Sequence, residues 1–129
     1  MVIWGTGTPR REFLYSEDLA EACVFLMNLP EEPFAALLQG DAATPPLINI
    51  GCGEDLTIRE LAERIAAVVG FEGRLEFDTS KPDGTPQKRL EVSRLSRLGW
   101  RPKTPLREGI ALMYQWFKEN HEEPGRAGH

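Results

Sequence analysis

The residues best suited to chemistry fall in two polar segments, each punctuated by glycine and proline. The first is Trp4-Gly5-Thr6-Gly7-Thr8-Pro9-Arg10-Arg11-Glu12-Phe13. It sets an aromatic ring and two guanidinium groups around a glycine-rich turn. That combination suits a nucleoside diphosphate, because arginine forks onto phosphate oxygens and an aromatic face accepts a ring. A hairpin turn with solvated arginines is the other reading, and the segment alone leaves the two open. A dinucleotide fingerprint is not expected here, since the third glycine is absent, Pro9 follows, and no strand-turn-helix unit surrounds the pair. Gly51-Cys52-Gly53 invites the same thought, yet Glu54 and Asp55 follow it and would repel a phosphate. A plain turn is expected there.

The second segment is Thr79-Ser80-Lys81-Pro82-Asp83-Gly84-Thr85-Pro86-Gln87-Lys88-Arg89. Two prolines stiffen it, so its polar groups are held ready rather than ordered on binding. As a ligand loop, it would use Asp83 to accept hydrogen bonds from sugar or ribose hydroxyls and turn Lys88 or Arg89 toward phosphate. As a solvated connection, it would touch nothing. Tyr114 and Lys118 match the Tyr-x-x-x-Lys spacing that places an ammonium beside a phenol one helical turn away. Tyr114 lies on the apolar stripe of a terminal helix, however, and core packing is the expected role. His121 and His129 sit at the end of the chain, and no paired carboxylates, nucleophile elbow or metal constellation is visible. Cys23 and Cys52 belong to no Cys-x-x-Cys pair and read as reduced thiols. Read from the residues, the chain holds binding elements without a reaction centre.

The elements that must position these segments are legible from periodicity and punctuation. Residues 17–29 form an amphipathic helix with apolar positions Leu19, Ala22, Cys23, Leu26 and Met27, and Ser16 as its N-cap. Residues 30–46 read as a surface excursion with a short helix at 34–38. Leu47-Ile48-Asn49-Ile50 suits a buried strand ending in a tight turn. Thr57-Ile58-Arg59-Glu60 is a capping box. It opens a helix with Ile58, Leu61, Ala62, Ile65, Ala66 and Val69 on one face and Gly70 as its C-terminal stop. Residues 74–77 alternate like a half-buried strand, and 93–98 suit a short helix ending at Gly99. Thr104 and Pro105 supply an N-cap and a first helical residue for a last helix running to about Asn120, with Leu106, Ile110, Met113, Tyr114 and Phe117 in one stripe.

A chain of 129 residues, 41% hydrophobic and 27% charged, is expected to be one soluble globular domain with a real core. The formal charge of -5 argues against binding to a nucleic acid duplex, which needs a surplus of cations on one face. No apolar run approaches the roughly 20 residues needed to cross a bilayer, and the start lacks a signal-peptide layout. A cytoplasmic location is therefore expected, with no membrane partner.

Four segments, taken in order, carry a resemblance. They are Trp4 through Leu14 as quoted, Ile48-Asn49-Ile50-Gly51, Thr57-Ile58-Arg59-Glu60-Leu61-Ala62, and Asp78-Thr79-Ser80-Lys81-Pro82-Asp83-Gly84-Thr85-Pro86. Together they resemble the GDP-L-fucose synthase family of extended short-chain dehydrogenase/reductases, from about Val2 to Asn120. The resemblance implies an α/β fold of mixed helices and short strands, the C-terminal substrate-binding domain of such an enzyme, with the N-terminal Rossmann core missing. It implies a nucleotide-sugar domain over residues 1–120; residues 121–129, polar and without a packing signal, are expected to be a disordered tail. The family epimerises GDP-4-keto-6-deoxy-D-mannose and reduces it with NADPH to GDP-L-fucose. Trp4, Arg11 and Asp83 match positions that contact the GDP-sugar, and Lys88 matches a nearby basic position. Arg11 would neutralise diphosphate, Trp4 would shape the sugar end, and Asp83 would accept hydroxyl hydrogen bonds.

The family's cofactor motif, its Ser and Tyr-x-x-x-Lys, and its epimerisation Cys and His precede the matched region, so no catalytic residue carries over. NADP(H) is expected for the complete enzyme and none for this chain alone, which should be inactive. The expected partners are a GDP-sugar, the missing Rossmann half or a partner chain, and further copies in a homo-oligomer. Two other readings stay open: a non-catalytic nucleotide-sugar binding or assembly module, and the substrate domain of another nucleotide-sugar epimerase or dehydratase. Ser16-Glu17-Asp18 and Cys52 depart from the family's usual residues without touching a proposed ligand contact.

Overall fold

A computed structural model of the chain describes residues 1–39 and 46–121. In chain order its elements are β1 (Val2–Trp4), β2 (Arg10–Arg11), α1 (Ser16–Met27), α2 (Glu31–Leu38), β3 (Leu56–Thr57), α3 (Ile58–Val69), β4 (Glu76–Asp78), β5 (Gln87–Lys88), α4 (Ser93–Arg97) and α5 (Leu106–His121). The strands make two small sheets. Val2 and Ile3 open β1, which pairs in parallel with β4 in the register Val2↔Glu76, Ile3↔Phe77 and Trp4↔Asp78. In the second sheet β2 is central. It runs antiparallel to β3, with Arg10 opposite Thr57, and parallel to β5, with Arg10 opposite Gln87 and Arg11 opposite Lys88.

The capping box forms as expected. Thr57 Oγ1 accepts from Glu60 N at 3.1 Å, and Glu60 Oε2 accepts from Thr57 N at 2.8 Å. At the other end of α3, Gly70 takes the left-handed conformation at φ 71°. The apolar face of α3 packs on α5. Phe13, Tyr15, Ile65, Val69, Ile110 and Met113 line an apolar groove of about 510 Å³ beside that contact.

Several expectations are corrected. Tyr15, not Ser16, precedes α1 as its N-cap, and no side chain caps the helix. The inward face of α1 is Asp18, Ala22, Phe25 and Leu26, whereas Leu19, Cys23 and Met27 are exposed. Asp18 causes this rotation: its carboxylate, 4% exposed, accepts from Thr104 N at 2.9 Å, Thr104 Oγ1 at 3.1 Å and Lys103 N at 3.2 Å. Thr104 therefore turns its hydroxyl onto Asp18 rather than capping α5, which starts at Leu106. Helix α2 begins at Glu31, a full turn before the expected start. Residues 40–45 of the expected excursion lie outside the described residues.

The run 47–50 is not a strand, because none of its backbone enters a ladder among the described residues. Leu47 is 67% exposed, and Ile48 and Ile50 are half-buried against a cluster of Ala22, Leu95 and Trp100. The core is thinner than expected: among the described residues, Ala22, Leu56, Leu95 and Trp100 are the buried hydrophobics. Two sheets of two and three short strands offer no continuous layer to cover. His121 belongs to α5, stacked on Phe117 at 5.2 Å between ring centroids, and not to a tail. Residues 122–129 lie outside the described residues.

Candidate functional site

Because successive strand residues face opposite sides, β2 sends Arg10 and Arg11 to different environments. Arg10 Nε donates to Asp55 Oδ1 at 2.7 Å, and its Nη2 donates to the Asp55 carbonyl at 2.9 Å. Gln87 Nε2 donates to the other Asp55 oxygen. The Gln87 amide and the Arg10 guanidinium together hold the Asp55 carboxyl below the usual carboxylate range. These contacts tie β2 and β5 to the segment entering β3. The expected pair of guanidinium groups for a diphosphate is thereby reduced to one, and the expected plain turn at Glu54-Asp55 contains an anchor.

Arg11 faces the other way. Its Nη1 donates to the Arg10 carbonyl at 2.6 Å, and its Nη2 stands 3.2 Å from the place a methyl group on Gly84 would occupy. Lys88 is its register partner on β5. Arg11, Lys88 and Arg89 line a groove of about 530 Å³ with Glu12, Ile50 and Leu90. Glu12 adds one negative charge to that wall. Both of its oxygens are engaged, accepting from Gly53 N at 2.6 Å and from Leu90 N at 2.7 Å.

Asp83 is bound within the protein. Its Oδ1 accepts from Thr6 N at 2.9 Å and its Oδ2 from Thr6 Oγ1 at 2.6 Å. The Thr6 hydroxyl, then its backbone N–H, holds the Asp83 carboxyl below the usual range. Gly5 and Gly7 make this approach possible. They sit at φ 85° and 77°, and a side chain on Gly5 would collide with Asp83 while one on Gly7 would enter the Phe77 ring. Arg59 supports the turn from below, its guanidinium 3.8 Å over the Phe77 ring and its Nη2 donating to the Thr6 carbonyl at 3.2 Å. Trp4 stands at the open end of β1, 74% exposed, with Lys81 Nζ 5.6 Å from its ring centroid.

Of the four residues expected to bind, Arg11 and Lys88 are adjacent. Asp83 neighbours Arg11 through Gly84, and Trp4 neighbours Asp83 through the Gly5 turn. Sequence reasoning missed Thr6, Arg59 and the Arg10-Asp55-Gln87 anchor. Their partners lie 32 or more positions away for Asp55 and 77 for Thr6, and no local pattern announces them.

At both glycine turns backbone donors are already engaged within the protein. At the first, the Asp83 carboxylate occupies Thr6 N, and the α3 donors Ile58 N and Arg59 N are taken by the Pro9 and Gly7 carbonyls at 3.0 Å. At the second, Glu12 occupies Gly53 N. Lys118 Nζ lies 5.0 Å from the centroid of the half-buried Tyr114 ring, over its face, and Tyr114 joins the apolar groove against α3. Among the described residues no cluster of His, Cys, Asp or Glu could hold a metal ion, and no helix is long and apolar enough to cross a membrane. Cys23 and Cys52 are unbridged thiols.

The sequence pattern of the NAD dependent epimerase/dehydratase family matches residues 1–50. The GDP-L-fucose synthase of Escherichia coli (strain K12) is 50% identical over 122 residues, covering 95% of this chain and 37% of that protein. The chain is a homologue of GDP-L-fucose synthase. It spans about a third of the length of the curated relatives it matches. Solved structures agree with the homology. A GDP-6-OMe-4-keto-L-xylo-heptose reductase from C. jejuni is 40% identical with a TM-score of 0.83, covering 93% of this chain and 34% of the reductase. A GDP-L-fucose synthetase from Naegleria fowleri bound to NADP is 32% identical with a TM-score of 0.75, covering 94% and 35%. The mixed α/β homologue thus corresponds to about a third of such dehydrogenase-like structures.

Proposed function

We propose that this chain is the GDP-sugar-binding part of a GDP-L-fucose synthase, equivalent to the C-terminal substrate domain of an extended short-chain dehydrogenase/reductase. The observation that carries the reading is the pairing of Arg11 with Lys88 across β2 and β5, beside the Asp83 loop. Arg11 forks onto the diphosphate and Lys88 adds a second positive charge. Asp83, ionised and with lone pairs beyond those Thr6 uses, accepts hydroxyls of the sugar. Trp4 walls the sugar end.

In the complete enzyme the substrate is GDP-4-keto-6-deoxy-D-mannose, epimerised and then reduced by NADPH to GDP-L-fucose. This chain contributes binding and orientation to that reaction and no proton-transfer group. NADP(H) belongs to the complete enzyme and not to these two glycine turns, where carboxylates occupy Thr6 N and Gly53 N. Competition between GDP, UDP and dTDP for the purified chain tests the reading: GDP should win. Equal affinity for the three would contradict the GDP assignment.

The likeness to the heptose reductase favours a second reading, in which the same GDP groove serves a different sugar. A tighter complex with a GDP-heptose than with GDP-L-fucose would select it.

A further inference from the structure

We infer that Thr6 is a positioning residue for sugar recognition, holding Asp83 as a fixed acceptor for sugar hydroxyls; this rests on the GDP-sugar reading above. Thr6 gives Asp83 both of its donors, N to Oδ1 at 2.9 Å and Oγ1 to Oδ2 at 2.6 Å. An ionised carboxylate only accepts, so the Thr6 hydroxyl hydrogen must point at Asp83. That fixes the rest of the chain of bonds. In the 2.7 Å contact between Thr6 Oγ1 and Thr8 Oγ1, Thr8 must be the donor, and Thr8 N adds a second donation to Thr6 Oγ1 at 3.2 Å. Every hydrogen-bonding site of the Thr6 hydroxyl is then spent inside the protein, and Thr6 is not itself a ligand group.

What the arrangement leaves free is the outer pair of lone pairs on Asp83. Two rigid donors fix the carboxylate plane, and Gly5 lets it lie close against the turn. The turn is in turn fixed by Arg59, which bonds the Thr6 carbonyl and stacks on Phe77. Arg11 Nη2 stands 3.2 Å from the place of a methyl group on Gly84, the residue after Asp83, so the sugar acceptor and the phosphate cation lie close together. Loss of the Thr6 hydroxyl frees one arm of the carboxylate without touching Arg11 or Lys88.

The test is calorimetry of GDP and GDP-L-fucose with the 129-residue chain, comparing wild type, Thr6→Val and Thr6→Ser. Thr6→Val should weaken GDP-L-fucose by about tenfold, the loss of one hydrogen bond to a charged group, while GDP binds as before. Thr6→Ser, which keeps the hydroxyl, should restore GDP-L-fucose binding. Wild-type affinity for GDP-L-fucose in Thr6→Val would overturn the inference and leave the GDP-sugar reading standing. So would an equal loss for both ligands that Thr6→Ser fails to rescue, the mark of a merely structural role. Failure of the wild type to bind either ligand would remove the underlying reading and the inference together.

Discussion

Arg10 and Arg11 are neighbours in sequence with unlike tasks. Arg10 is bound to Asp55, and Arg11 faces a groove with Lys88 and Arg89. Arg10→Ala should therefore lower Tm by a few degrees in a thermal melt and leave GDP affinity unchanged. Asp55 and Asp83 both have depressed carboxyl pKa values, through Gln87 and Arg10 for one and Thr6 for the other. Depressed acids stabilise the fold fully above their unfolded value and lose that contribution as pH falls through the folded one. The two anchors should be intact at neutral pH and weaken only below about pH 4. A circular dichroism titration should show less acid sensitivity in Asp83→Asn than in wild type. Arg11 stood out in the sequence as a candidate phosphate cation, and it faces the groove with Lys88 and Arg89. The division of labour with Arg10 was not, because a two-residue strand carries no periodicity from which to read faces. Nor does anything near Asp83 announce Thr6, 77 positions away.

Among the elements, α3 is the one most completely written in the sequence. Its cap, apolar face and glycine stop are local signals, and all three are present. Thr57→Ala should cost about 1 kcal/mol, read as a lower Tm, because it strips the cap that satisfies Glu60 N. Elements whose placement depends on distant partners were less legible. Helix α1 turns its Asp18 inward because that carboxylate gathers two backbone N–H groups and a hydroxyl from residues 103–104. Asp18→Ala should cost about 3 kcal/mol by leaving those donors unsatisfied, measurable by urea unfolding. The apolar run at 47–50 looked like a strand, but strand identity needs a ladder partner, and the described residues provide none.

Across the described residues, large apolar side chains stay exposed on several elements. They include Val24 and Met27 on α1, Phe34 and Leu38 on α2, and Leu112, Met113, Trp116 and Phe117 on α5. Patches of this kind favour association, so sedimentation should find self-associated species, and a compact monomer would contradict that expectation. The helices were legible from periodicity, and the mixed α/β class came with the resemblance; of the strands only β4 was read from its alternation, because strands of two or three residues carry too little pattern. The thinness of the core was not legible, since periodicity shows an apolar face without showing what covers it. The central claim, that Arg11 anchors a GDP-sugar here, is tested most directly by calorimetry of GDP-L-fucose with wild type and Arg11→Ala. A wild-type complex weakened at least about tenfold by the substitution is the predicted result, as expected for loss of a charge-assisted fork. Equal affinity in the two proteins would contradict it.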